Sequence, residues 1–128
     1  MVVRPLKGQD AFNIVMRSGR RSTSGPLSLT AAFNVDSLPK ESISVGVTIG
    51  KRTAKRAVIR NRVKRLLRES VRQIVPSRAV ALSSAGIHSV VLVWRSAPEA
   101  PKLLRLSDVQ PHVESALDHV ISVCSRNV

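Results

Sequence analysis

Apolar and polar residues alternate along two short stretches of this 128-residue chain. In residues 27–33, Leu27, Leu29, Ala31 and Phe33 share one face, while Ser28, Thr30 and Ala32 share the other. In residues 42–50 the alternation is cleaner, with Ile43, Val45, Val47 and Ile49 set against Ser44, Gly46, Thr48 and Gly50. A period of two is that of a strand with one buried face. Residues 87–94 are almost continuously apolar, as expected of a strand covered on both sides. The polar side of residues 42–50 holds only small side chains. A close neighbour, whether part of the chain or a ligand, is therefore expected against that backbone.

Elsewhere the period lengthens to that of a helix. Phe12, Val15 and Met16 mark a short helix over residues 6–17, with Gly19 as its stop. A longer one runs from about residue 54 to 75, where Pro76 cannot continue it. At 100° per residue, Ile59, Val63, Leu66, Leu67, Ser70, Val71 and Ile74 form its apolar arc. Residues 77–86 are expected as a loop, and the prolines at 98 and 101 make residues 95–105 irregular. A last helix is expected over residues 107–125. Ser107 and Gln110 have capping-box spacing, and Val109, Val113, Leu117, Val120 and Cys124 form a core stripe. The order is helix, two or three strands, helix, strand, helix. It predicts an α+β protein, a small two-layer α/β sandwich of order α-β-β-(β)-α-β-α with its crossover through the long helix. One domain over residues 1–128 is expected, with short loose ends at 1–5 and 126–128.

Charge changes the picture. Residues 51–68 hold nine Lys or Arg in eighteen positions and no carboxylate. Residues 51–72 hold ten cations against Glu69 alone, so +9 of the formal net charge of +13 lies in one stretch. Arg60, Asn61, Arg62, Lys64, Arg65, Arg68 and Arg72 fill the arc opposite the apolar one. Ordinary solvated helix faces mix both signs, and this one does not. A helix apolar on one side and cationic on the other fits a polyanion, and nucleic acid suits it better than a membrane because the apolar side is needed for the core.

The same residues weigh against other functions. A single cysteine, Cys124, permits no internal disulfide and suggests no oxidising compartment. The first ten residues lack a signal-peptide core, and the longest near-apolar run, eight residues, is far short of a membrane span. A cytoplasmic protein is expected. The eight carboxylates are scattered, His112 and His119 lie on one helical face as ordinary surface, and no phosphate loop, nucleophile elbow or zinc motif is present. No catalytic residue and no protein-bound metal are expected.

The run Lys51-Arg52-x-x-Lys55-Arg56-Ala57-Val58-x-Arg60-Asn61-Arg62-Val63-Lys64-Arg65-Leu66-Leu67-Arg68-Glu69 resembles the signature of the bacterial ribonuclease P protein subunit. Leu6-Lys7, Phe12, Val15 and Gly19 resemble that family's opening helix, and Val45-Gly46-Val47-Thr48-Ile49 its strand before the basic helix. The order of elements agrees over nearly the whole chain, with close residue similarity over about residues 43–70. The resemblance implies a protein partner of ribonuclease P RNA, acting with it to remove the 5′ leader of precursor tRNA. The RNA would carry the chemistry with Mg²⁺ at its own active site. No membrane partner and no protein oligomer are expected. The alternative is a stand-alone RNA-binding protein, ribosomal or a tRNA chaperone.

The resemblance also implies roles. Arg62, Lys64, Arg65 and Arg68 match cations near the catalytic RNA, and Lys51, Arg52, Lys55 and Arg56 extend that field. Such cations act on phosphates, giving affinity and salt dependence rather than sequence reading. A leader-binding cleft between the first helix and the sheet is implied, with Phe12 at an aromatic cleft position where a leader base could stack; core packing, the usual role of a lone Phe on an amphipathic helix, is the alternative. Met16, Ser28, Thr30 and Thr48 line it, and Arg60 and Asn61 flank it; for Asn61 a backbone-capping role is the plainer alternative. Family members often carry aromatics where this chain has Met16 and Thr30. With no Tyr, two Phe and one Trp, at most one platform is recognisable here. Phe33 and Trp94 are expected in the core or at the cleft rim.

Overall fold

The alternating and apolar segments all become strands, and two further strands flank them. The computed structural model describes residues 1–34, 42–50, 55–95 and 104–126. Its strands are β1 (Val2–Pro5), β2 (Arg20–Ser24), β3 (Leu27–Phe33), β4 (Ser42–Ile49) and β5 (Ile87–Trp94). They form one sheet in the order β1-β4-β5-β3-β2. β4 is parallel to both its neighbours, and β3 is antiparallel to both of its own. The helices are α1 (Gln9–Ser18), α2 (Ala57–Ile74), α3 (Ala79–Ser84) and α4 (Leu106–Arg126). The parallel pair β4 and β5 is joined through α2, as the element order required. The mixed α/β sandwich expected from the sequence is what the chain forms.

β2 is the third strand that the pattern left open. Its sequence RRSTS has no apolar alternation, so its turn and register specify it. Gly25 takes φ +54 and Pro26 follows, with Ser24 paired to Leu27 across a two-residue connection. Glycine supplies the positive φ at the first turn position, and proline the negative φ at the second.

The core fixes which side of each element is free. α2 and α4 cover one face of the sheet, burying Leu27, Leu29, Ile43, Val45, Ile49, Val90 and Leu92 against Val63, Leu67, Val71, Val113, Leu117 and Val120. α1 lies on the other face, where Val15, Ala32 and Val91 form a smaller cluster with Leu6, Phe12, Met16 and Val93 packed around it. Trp94 is 5% exposed and makes an edge-to-face contact with His112 at 6.1 Å, so it is a core residue. Phe33 packs against the same core.

Four expectations need correction. Residues 1–5 are not a loose end: Val2–Pro5 pair in parallel with residues 42–45, and Val3 packs on the core. Residues 77–86 are not a loop. Pro76 ends α2, but its fixed φ suits the short 3-10 turn Val75–Arg78, which leads into α3 and buries Leu82. The α4 cap is not Ser107 with Gln110. The helix begins at Leu106, and Asp108 Oδ2 accepts the Arg105 N–H at 2.9 Å, so the carboxylate reaches back to the residue before the helix. His112 and His119 are more than surface: their Nδ1 atoms hydrogen-bond Ser24 Oγ at 3.2 Å and Ser22 Oγ at 2.9 Å, tying α4 to the polar strand β2.

Cys124 is buried, which pushes its thiol up against a smaller opposing pull from Arg20. Arg78 forks onto Asp118 at 3.0 and 3.1 Å and reaches Glu114 at 2.7 Å. Two of α4's three carboxylates are therefore engaged away from the cationic side of α2.

Candidate nucleic-acid interface

The site begins with the way α2 is seated. Val63, Leu67, Ser70, Val71 and Ile74 are buried and Ile59 and Leu66 partly so, which is the apolar arc the sequence marks out. Its position fixes the opposite arc: Asn61, Arg65, Arg68 and Arg72 are all exposed, in one row down the helix. Within α2 the only acid is Glu69, 3.5 Å from Arg72. At the start of the helix, Lys55 and Arg56 are exposed, no acid occupies the first turn and no side chain caps it. Free N–H groups and the positive end of the helix dipole thus add to the cationic field.

The predicted contact residues are not equivalent. Lys55, Arg56, Arg65 and Arg68 are exposed, and Lys64 is half-buried. Lys51 and Arg52 lie outside the described residues. Arg62 turns inward: its Nη2 donates to the Leu104 carbonyl at 2.7 Å, and its buried Nε has no partner among the described residues. It ties α2 to the approach of α4, which no spacing rule could show. Arg60 is half-buried and folds back on the helix entry, with Nη1 donating to the Lys55 carbonyl at 2.7 Å. The Asn61 side chain is exposed and makes no hydrogen bond with another described residue, so backbone capping does not account for it.

On the other face, α1 rests against β3 and β5. Phe12, Met16 and Thr48 are half-buried and border the space beside it. Ser28 and Thr30 point to this face, but at 1% and 2% exposure they are not open to a ligand as expected. Ser28 Oγ is buried without a partner among the described residues, and the Thr30 methyl lies 2.7 Å from where a Cβ on Gly19 would stand. The absent Cβ lets the chain leave α1 directly over β3. Gly46 has a similar explanation: a Cβ there would sit 3.3 Å from Leu6, whose N–H donates to the Val45 carbonyl at 2.9 Å. The close neighbour expected from the small residues of β4 is the chain's own Leu6. The sequence pattern gave no sign of Arg21 and Thr23, which pair with Thr30 and Ser28 and so extend this face outward as exposed residues.

Among the described residues, no three His, Cys, Asp or Glu side chains are grouped to hold a metal ion. None of the described helices is long and apolar enough to cross a membrane.

A mixed five-stranded sheet carrying a one-sided cationic helix defines a small basic α/β protein with one face suited to a polyanion. The comparisons with known proteins are specific. The ribonuclease P family profile matches residues 3–117. The chain is 31% identical over 121 residues to the ribonuclease P protein component of Chlorobaculum tepidum, covering 91% of this chain and 79% of that one. It is 39% identical over 72 residues to that of Paramagnetospirillum magneticum, covering 56% and 50%. In structure it is similar to the Staphylococcus aureus RNase P protein (TM-score 0.57, 18% identity, 93% of each chain). It is likewise similar to the Thermotoga maritima RNase P protein, solved with 1-(4-fluorophenyl)-2-thiourea (TM-score 0.56, 15% identity, 86% and 91%). The chain belongs to the ribonuclease P protein component family.

Proposed function

We propose that this protein binds ribonuclease P RNA through the exposed row of α2 and holds the 5′ leader of precursor tRNA beside α1. It thereby promotes endonucleolytic removal of the leader in the cytoplasm. One observation carries the reading: Asn61, Arg65, Arg68 and Arg72 stand exposed on a helix whose other face is locked into the core. Rigid presentation of guanidinium groups, with Glu69 beside Arg72 as the one acid on the helix, matches a phosphate backbone, and each contact releases bound counterions. In this reading Mg²⁺ belongs to the RNA active site, and the protein supplies positioning and electrostatic attraction.

The leader's place follows from the other face. Phe12 is the one aromatic bordering the space beside α1, and half-burial leaves part of its ring for a base. Arg60 and Asn61 open α2 on the leader side, where a carboxamide beside guanidinium groups can bond phosphate or ribose. Ser28 and Thr30 act from beneath, as packing.

The test is cleavage of precursor tRNA at low Mg²⁺ by a bacterial ribonuclease P RNA, with and without the protein. Protein-dependent cleavage at the mature 5′ end is expected. Tight RNA binding without stimulation of several such RNAs would instead favour a stand-alone RNA-binding protein. Phe12→Ala is expected to reduce the preference for a long leader over a one-nucleotide leader. Stacking contributes about 1–3 kcal/mol per base, so the ratio of the two affinities should fall about fivefold or more. An unchanged ratio would make Phe12 a packing residue only.

A further inference from the structure

The sheet face beneath α1 carries one row that the helix leaves partly open. Thr48 pairs with Val93, Val93 with Ser28 and Ser28 with Thr23. The row thus crosses from β4, whose end leads on to α2, to the edge strand β2. It spans three strand spacings, about 14 Å. Thr48 and Val93 are half-buried, Thr23 is exposed, and Ser28 between them is sealed. Phe12 and Met16 of α1 pack around the same small cluster as Val93. The neighbouring row of Gly46, Val91, Thr30 and Arg21 is closed, because Leu6 covers Gly46 and both Val91 and Thr30 are buried. It opens only at its outer end, where Arg21 is exposed just past the exit of α1. The Arg21 guanidinium makes no hydrogen bond or ion pair with another described residue, and no carboxylate occurs between Asp10 and Asp36. Arg21 and Thr23, two apart on one strand, share a face. A free guanidinium and a hydroxyl therefore stand together where the open row meets the sheet edge.

We propose that β2 is the outer part of the path of the 5′ leader. Single-stranded RNA that passes Phe12 continues across the open row to the sheet edge, where Arg21 bonds a backbone phosphate and Thr23 a phosphate or ribose oxygen. A strip of half-buried apolar and hydroxyl groups ending in one cation suits a single strand, whose bases and sugars cover the floor while its charge meets the arginine. The inference rests on the leader reading above and goes beyond it, since neither the basic motif nor the aromatic position assigns anything to β2. It makes Arg21 a determinant of how much leader the protein senses. A cation on an edge strand also has a plainer use, blocking edge-to-edge pairing with another sheet. Arg21→Glu separates the two roles, because it keeps a charge on the edge while repelling phosphate. Edge protection alone predicts self-association in Arg21→Ala, none in Arg21→Glu, and a wild-type response to leader length in both.

The test uses the full chain assembled with a bacterial ribonuclease P RNA. Affinity is measured for precursor tRNAs whose leaders lengthen one nucleotide at a time, with the wild type, Arg21→Ala, Arg21→Glu and Phe12→Ala. Wild-type affinity should keep rising beyond the length that reaches Phe12 and then level off. Arg21→Ala should lose that later rise. The ratio of long-leader to shortest-leader affinity should fall about fivefold at 0.1 M salt, with a long-leader salt slope shallower by about 0.7. Arg21→Glu should lower the ratio further, and Phe12→Ala should lower it from shorter leaders onward. Wild-type ratios in both Arg21 variants would overturn the proposal: the path would end at α1, and Arg21 would be an edge guard. A loss shared equally by every leader would overturn it too, placing Arg21 against another part of the assembly. A wild type indifferent to leader length, and unaltered by Phe12→Ala, would remove the leader reading itself and this path with it.

Discussion

Replacing Arg65 and Arg68 together by alanine is expected to weaken binding to ribonuclease P RNA by about 40-fold at 0.1 M salt. The figure follows from counterion release: roughly 0.8 of a counterion is freed per phosphate neutralised, so each guanidinium removed lowers affinity about sixfold. The salt dependence should become shallower by about 1.6 in slope, twice the effect of removing one cation. Both side chains are exposed on the row opposite the buried arc, so their removal leaves the core of α2 intact. The folded protein should keep its thermal midpoint, and the far-ultraviolet spectrum should not change. Arg62→Ala provides the contrast within the same helix. Its guanidinium is committed to the Leu104 carbonyl, so its removal should act first on the docking of α4 and on stability, with less effect on the salt slope. Binding isotherms at several salt concentrations separate the two cases. A double mutant with wild-type slope would take the RNA off this face of α2.

That contrast shows where sequence reading stops. Arg62 and Arg65 are both cations within one motif, and periodicity placed both on the polar arc. Only the fold reveals that one of them meets the segment leading into α4, because that hydrogen bond joins residues 42 positions apart. The two faces of α2 were legible because a 3.6-residue period and a one-sided charge pattern point the same way. β4 was legible from its alternation, and its small residues announced a close neighbour without saying which; Leu6 settled that. β1 and β2 were not legible. VVRP is too short to show a period, and RRSTS has a polar pattern that only its pairing with β3 and its histidine partners on α4 turn into a strand. Ser28 and Thr30 show the same limit. Alternation put them on the correct face of β3, but α1 and the flanking strands seal that part of it, and such closure depends on how helices lie across the sheet.

Leu67→Ala is expected to be the most damaging single truncation on α2, lowering folding stability by about 2–5 kcal/mol. Leu67 is fully buried, in the helix that packs against both β4 and α4. Its removal leaves a void bounded by a sheet on one side and a helix on the other, neither of which can move inward without disturbing the opposite contact. Against a typical total of roughly 5–15 kcal/mol for a domain, that loss consumes a large share of the margin. The urea midpoint should fall with little change in the slope of the transition, the mark of altered stability rather than of an altered unfolded state. Val58→Ala on the same helix is the matched control. That side chain is 79% exposed, so its truncation should stay within about 0.5 kcal/mol of the wild type. Measured well below its midpoint, Leu67→Ala should still bind RNA with the wild-type salt slope, because the cationic row is untouched. A cost below about 1 kcal/mol would mean that α2 is held mainly by its flanks, and the rigid presentation of Arg65, Arg68 and Arg72 would then need another explanation. The opposite outcome, a large loss of stability with the slope preserved, would separate the two faces of one helix experimentally: one anchors it in the sandwich and the other meets the phosphates.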